Sequence, residues 1–324
     1  MTSPSYELVV DGKEQRWTLL PAASNKAWRI CALLPNGRDR YWWGVSWGLA
    51  EEAKRQGLQM GIYHANSYAD LPMQKKQWAD CVALGAQAFI IGAISADGLN
   101  QEIEAAIKDG KPVIDLINGV SAQTTSRSLV SFADMSRQAV DYLLRHAGER
   151  RVRVAWFPGP AGATWVQDGE RGLKSRLVGE AVDLSFGGYG PTDAASQSTL
   201  VRKHLAEFGS PDYIIGNAVA IEFAARYLSQ RPAAQPKLLA YYVNEEIVAN
   251  IRKGLVLAAP TDKPVTQARI SVDLAVRALQ GQVLPKRVSP KIEILDRARL
   301  DSMDLSELLP PKGQWLVRQA LQPL

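Results

Sequence analysis

The residues of this chain with the most evident chemistry are aromatic. Asn36-Gly37-Arg38-Asp39-Arg40-Tyr41-Trp42-Trp43-Gly44-Val45-Ser46-Trp47-Gly48 places a tyrosine and three tryptophans where a polar turn runs into a helix. The negative faces of such rings attract cations that have no N–H to donate, methylated ammonium groups above all. Rings at a helix start also pack into cores, and the spacing suggests a division. Trp43 and Trp47, four apart, share a face with Ala50 and the Lys54 stem and suit packing on a sheet. Tyr41 and Trp42 come earlier, in the loop mouth, and are the better ligand contacts.

The elements around this stretch have to position it. Ile30-Cys31-Ala32-Leu33-Leu34 reads as a short buried strand, so the rings stand on a loop leading from a strand's carboxyl end into a helix, where open α/β sheets hold ligands. Short apolar runs alternate with helical stretches along most of the chain and break near Ser131 to Asp134. Two such series predict an α/β protein of two similar doubly wound parallel-sheet lobes. Asp11-Gly12 between two strand-like runs predicts a hairpin ahead of them. The expected ranges are a hairpin extension over 1–27, lobe 1 over 28–131 plus 259–283, lobe 2 over 132–258 plus 284–299, and a tail over 300–324. One strand is expected over Arg287 to Leu295, and the last residues read as a surface strap.

Composition narrows the function classes. The 324 residues are 46% hydrophobic and 22% charged, ordinary for a globular protein. No apolar run reaches the roughly 18 residues of a membrane span, so no membrane insertion is expected. Met1-Thr2-Ser3-Pro4-Ser5-Tyr6 lacks the basic start and apolar stretch of a leader. That leaves a cytoplasmic protein or an exported one whose leader is absent from the numbered chain. The net charge of +5 is spread out, which argues against nucleic acid. His64, His146 and His204 show no ligand spacing, so no metal is expected. Cys31 and Cys81, both in apolar surroundings, read as buried thiols; a disulfide between them would need their Cβ atoms close together.

Catalysis finds little support. Pro158-Gly159-Pro160-Ala161-Gly162-Ala163-Thr164 follows a strand but has neither the spacing nor the Lys-Ser/Thr ending of a phosphate loop. It either presents Trp165 to a cleft or merely turns the chain. No nucleophile elbow is present, Asp115 lies within a strand, and Asp134 opens a helix, where capping is the ordinary role. A non-enzymatic binder without a cofactor is the expectation.

Gly92-Ala93-Ile94-Ser95, Pro112-Val113-Ile114-Asp115, Trp156-Phe157-Pro158-Gly159 and Pro264-Val265-Thr266-Gln267, in that order, resemble the type I periplasmic binding protein superfamily over roughly Trp28 to Leu295. Asp39-Arg40-Tyr41-Trp42-Trp43-Gly44-Val45, Tyr68, Phe132-Ala133-Asp134-Met135 and Ala240-Tyr241-Tyr242-Val243-Asn244 resemble its TorT-type sensors of trimethylamine N-oxide. The resemblance implies a periplasmic protein that closes on a small methylated amine and signals to the periplasmic domain of a sensor histidine kinase. It implies an aromatic box of Tyr41, Trp42, Tyr68, Phe132 and Tyr242. Phe132 departs from the tryptophan expected at that wall, and a smaller ring enlarges the box. A sugar-type substrate-binding protein of an ABC importer is the alternative, because Asp39, Asp115, Asn217, Asn244 and Gln267 could satisfy hydroxyls. Each of the five could equally be a cap, hinge or surface group.

Overall fold

The computed structural model describes residues 3–22, 27–231, 235–314 and 316–323. The first series of elements is β1 (Ser5–Val10), β2 (Lys13–Thr18), β3 (Arg29–Leu34), α1 (Tyr41–Arg55), β4 (Gln59–His64), α2 (Leu71–Ala83), β5 (Ala88–Ile91), α3 (Asn100–Lys108), β6 (Val113–Ile117) and β7 (Ser126–Leu129). The second is α4 (Phe132–Ala147), β8 (Val152–Phe157), α5 (Thr164–Leu177), β9 (Val182–Phe186), α6 (Ala194–Phe208), β10 (Tyr213–Gly216), α7 (Ala218–Ser229), β11 (Lys237–Ala240), α8 (Glu245–Arg252) and β12 (Ala258–Thr261). The closing elements are α9 (Pro264–Leu279), β13 (Arg287–Pro290), β14 (Glu293–Asp296) and α10 (Arg297–Leu300). They divide into unit 1, Met1–Val130 with Lys263–Lys291 and Ser306–Leu324, and unit 2, Ser131–Asp262 with Ile292–Leu305.

Unit 1 is built on an eight-stranded sheet in the order β2-β1-β13-β7-β6-β5-β3-β4. Strands β3, β5 and β6 are buried at every residue, as parallel strands covered on both faces must be. The N-terminal hairpin is part of this sheet rather than an extension, because β1 pairs antiparallel with β13 through Leu8↔Pro290 and Val10↔Val288. Asp11 and Gly12 have φ of 46° and 83°, the positive values a primed two-residue turn requires. The C-terminal segment lies along β4: Ile62 and Gln319 form a bridge, and the Leu321 N–H donates to the Tyr63 hydroxyl at 2.9 Å.

Three expectations are corrected here. Cys31 and Cys81 are not thiols but a disulfide, with Cα atoms 6.2 Å apart. The centre of β3 and the inner face of α2 meet in one apolar cluster, and that packing brings together two cysteines fifty residues apart. The expected strand over Arg287 to Leu295 is two strands, β13 in the unit 1 sheet and β14 in that of unit 2. Lys291, in the short gap between them, ends a segment of unit 1 and Ile292 begins one of unit 2. Trp43 and Trp47, expected as the packing pair, are half-buried, whereas Tyr41 and Trp42, expected in the loop mouth, are buried. The Trp43 indole N–H donates to the Gly37 carbonyl at 3.0 Å, and the Arg40 guanidinium lies over its ring.

Unit 2 repeats the plan with six strands in the order β14-β12-β11-β10-β8-β9. The Ser131 side chain caps α4 by accepting from the Asp134 N–H at 3.2 Å, so Asp134 is the capped residue and not the cap. Close helix contacts depend on glycine: a Cβ at Gly172 of α5 would fall 2.2 Å from the Ala133 carbonyl oxygen of α4. In unit 1, one at Gly48 of α1 would fall 2.5 Å from the Val265 oxygen of α9.

Candidate ligand-binding site

In unit 1 the aromatic turn behaves as one built piece. Asp39 Oδ1 accepts from the Tyr41 N–H at 3.0 Å, and the Asn36 side chain accepts from the Arg38 N–H at 3.0 Å. These side chain to backbone bonds fix the loop and set the first helical residues. Tyr41 and Trp42 then meet edge to face, centroids 5.5 Å apart. The Trp42 ring lies on the backbone of Gly92 at the end of β5, where a Cβ would be 2.9 Å from it. Tyr68, in the loop after β4, is half-buried, and its hydroxyl accepts from Asn118 Nδ2 at 3.0 Å. Asn118 follows β6 and also donates to the Ala93 carbonyl at 2.7 Å. Tyr41, Trp42, Gly92, Tyr68 and Asn118 thus come from the carboxyl ends of four strands, the edge at which such sheets bind ligands.

Unit 2 gathers a second aromatic group at its own strand ends. Trp165, in the first turn of α5, lies 5.5 Å from Phe132 at the start of α4. It also lies 5.9 Å from Tyr241 and 5.8 Å from Tyr242, both just after β11. The Tyr241 hydroxyl donates to the Pro158 carbonyl, which ties the β8 loop to the β11 loop. Gly159, with φ of 127°, lets the loop pass close to the Trp165 ring. The proline and glycine loop therefore supports an aromatic group.

The polar candidates sit deeper in the framework. Asn217 caps α7 through the Ala220 N–H at 3.0 Å, while its Nδ2 donates to Gln197 and to the Phe157 carbonyl. Asn244 caps α8 through Ile247 and donates to Glu222 at 2.6 Å. Gln267 accepts from the Ser128 hydroxyl at 2.8 Å. Asp115, wholly buried, accepts from the Val120 N–H at 2.9 Å and pairs with Arg127 at 3.2 Å. Burial pushes its carboxyl up to about 6, against the opposing pull of those two partners. These contacts tie framework elements together. Asn118, Gly92 and Tyr241 are the residues the sequence reading missed. Tyr241 adjoins Tyr242 at a strand end and could have been read from that; Asn118 reaches Tyr68 across fifty positions, which no local pattern announces.

Two sheet units, each with aromatic side chains gathered at the carboxyl ends of its strands, define a ligand-binding protein of the two-lobed kind. A family model for the periplasmic binding protein domain matches residues 30–282, and the chain belongs to that family. It is a periplasmic, TorT-like protein, and the periplasm is a compartment in which disulfides form and persist. Periplasmic protein TorT of Escherichia coli (strain K12) is 29% identical over 294 residues, covering 90% of this chain and 85% of TorT. An ABC transporter solute binding protein from Bradyrhizobium sp. BTAi1 with bound bis-tris is 38% identical, with a TM-score of 0.82 over 98% of each chain. A TorS sensor domain–TorT complex in the presence of TMAO contains a chain 27% identical to this one, with a TM-score of 0.80 over 90% of this chain and 100% of that one.

Proposed function

We propose that this protein is a non-enzymatic periplasmic sensor for trimethylamine N-oxide or a related small methylated amine, and that it reports the ligand to the periplasmic domain of a sensor histidine kinase. The observation that carries this reading is aromatic. Tyr41, Trp42 and Tyr68 in one unit, and Phe132, Trp165 and Tyr242 in the other, all stand at strand ends or helix starts, with Tyr241 beside them. Such rings suit a ligand whose methyl-covered cationic nitrogen cannot donate a hydrogen bond. Tyr and Trp N–H or O–H groups are the donors an N-oxide oxygen needs. The complex of TorT with the TorS sensor domain supports the choice of partner.

Transport is the second reading. The Bradyrhizobium relative is a transporter solute binding protein. Bis-tris is itself a tertiary amine, so its capture there is compatible with an amine ligand in either role. Isothermal titration in a buffer free of bis-tris decides the ligand class, comparing trimethylamine N-oxide, glycine betaine and choline with ribose and galactose. Binding of the methylated amines is expected, and binding of the sugars alone would overturn the proposal.

A further inference from the structure

We propose that Asn118 is a positioning residue of the aromatic group in unit 1. It fixes the Tyr68 hydroxyl as a hydrogen-bond donor, and so makes the site prefer an amine oxide to a quaternary ammonium ion of the same shape. The proposal rests on the methylated-amine reading and goes beyond it, because aromatic faces by themselves do not call for a ligand oxygen.

The first observation is backbone strain. Strand β6 ends at Ile117, whose φ is 70°, and the Asn118 N–H donates back across it to the Leu116 carbonyl at 2.8 Å. A three-residue turn with positive φ at its centre is the rare, strained form of the γ-turn, and a β-branched residue is poorly suited to it. The chain on either side holds the turn in place. Ile117 itself is buried. Asp115 Oδ2 accepts from the Val120 N–H at 2.9 Å, and Arg127 donates to the Val120 and Ala122 carbonyls, each at 2.8 Å. The Ser121 N–H donates to the Ala96 carbonyl at 2.7 Å. Strain over-determined by its surroundings in this way is concentrated at ligand sites.

What the turn sets in place is the Asn118 carboxamide. Its Nδ2 donates to the Ala93 carbonyl at 2.7 Å and to the Tyr68 hydroxyl oxygen at 3.0 Å. A carbonyl oxygen only accepts, so the NH2 end of the amide, not its oxygen, must face Ala93 and with it Tyr68. The backbone around Ala93 is held in turn by Gln74, which donates to the Gly92 carbonyl at 2.9 Å and accepts from the Ile94 N–H at 3.1 Å. Both amide hydrogens are thus directed, and the Tyr68 oxygen is an acceptor toward Asn118. The Tyr68 proton must turn away from Asn118, which makes the hydroxyl a donor toward any other partner. Trimethylamine N-oxide carries an acceptor oxygen. Tetramethylammonium, with a methyl group in its place, carries none.

Calorimetric titration of the full chain with these two compounds, for the wild type, Asn118→Asp and Asn118→Ala, reads the preference as the ratio of the two Kd values. An aspartate carboxylate only accepts, so it takes the Tyr68 proton for itself; alanine leaves the hydroxyl unset and serves should the aspartate variant fail to fold. Both variants are expected to lower the preference for the N-oxide about tenfold, the size of one hydrogen bond, with tetramethylammonium affinity little changed. An unchanged ratio, or a loss shared equally by both compounds as a merely structural role would give, would overturn the proposal. The unliganded protein supplies a second readout. With tyrosine labelled at ¹³Cζ, the Tyr68 resonance, assigned through Tyr68→Phe, should move downfield in both variants, and further in Asn118→Asp, where the phenol donates to a carboxylate. An unmoved resonance would overturn the positioning role itself. Wild-type protein that binds neither compound would instead sink the methylated-amine reading and the preference with it, while the Tyr68 resonance still decides what Asn118 does.

Discussion

Trp42 shows how one side chain can be both well packed and exacting about its support. Its ring is 2% exposed, and truncating it to alanine would remove a large buried aromatic at about 3–5 kcal/mol, which would confuse folding with binding. Gly92 offers a finer probe. A Cβ there would stand 2.9 and 3.0 Å from two ring atoms of Trp42 and 3.2 Å from Pro35, so the ring must move. Gly92→Ala is expected to weaken amine binding about tenfold, the size of a lost desolvated cation–π contact. Stability should fall by only about 1–3 kcal/mol. Calorimetry beside urea unfolding separates the two effects, and an unchanged affinity would remove Trp42 from the site.

Two buried ionisable residues of unit 1 oppose each other. Asp115 has its pKa raised from 3.8 to about 6 by burial. The folded state therefore holds the proton more tightly, and this contribution to stability is present below pH 3.8 and lost as pH rises through about 6. His64, hydrogen-bonded through Nε2 to the Val317 carbonyl at 3.0 Å, has its pKa lowered from 6.5 to about 4 by burial, with Arg318 adding to the fall. Its contribution is present above pH 6.5 and lost as pH falls through about 4. At about 1.36 kcal/mol per unit, each amounts to about 3 kcal/mol across its window, with opposite sign. Between about pH 4 and 6, the urea stability of Asp115→Asn should therefore rise with pH more steeply than that of the wild type. That of His64→Gln should rise less steeply or fall. Parallel slopes in all three proteins would mean that neither group titrates in this way.

At the scale of elements, the strand and helix alternation was legible because a buried parallel strand is a short apolar run and its helix has a polar face. What escaped was long-range. The disulfide joins β3 to α2, and only the packing of the sheet says that those two surfaces meet. The segment 287–295 reads as one strand because both of its strands are short and apolar in alternation, but the chain changes sheets at Lys291 to Ile292. Within the aromatic turn the spacing sets Tyr41 and Trp42 apart from Trp43 and Trp47, but the pair expected to pack is the half-buried one and the pair expected in the loop mouth is buried. Closing a loop of 50 residues, the disulfide should contribute about 4 kcal/mol by restricting the unfolded chain. Unfolding in urea with a reducing phosphine, or of Cys31→Ala with Cys81→Ala, should show that loss. The α4–α5 contact can be tested the same way. Gly172→Ala sets a methyl group against backbone, which cannot rotate aside, and should cost at least about 1–3 kcal/mol.

At the scale of the whole molecule, the polypeptide passes between the two units at 130/131, 262/263, 291/292 and 305/306. Neither unit is a continuous piece of chain, and an event at one set of strand ends is joined covalently to the other unit at four places. A sensor built this way has to convert ligand binding into a difference in affinity for its partner, and that conversion is bounded by thermodynamics. If trimethylamine N-oxide tightens the complex with the cognate periplasmic sensor domain by some factor, the sensor domain must tighten trimethylamine N-oxide binding by the same factor. A typical coupling of about 1–3 kcal/mol corresponds to roughly 5- to 150-fold. Two titrations measure it: amine into the free protein and into the preformed complex, and sensor domain into the protein with and without amine. Equal factors different from one would establish a sensor. A factor of one in both, with amine binding intact, would leave the protein a binder whose partner lies elsewhere and would favour the transport reading.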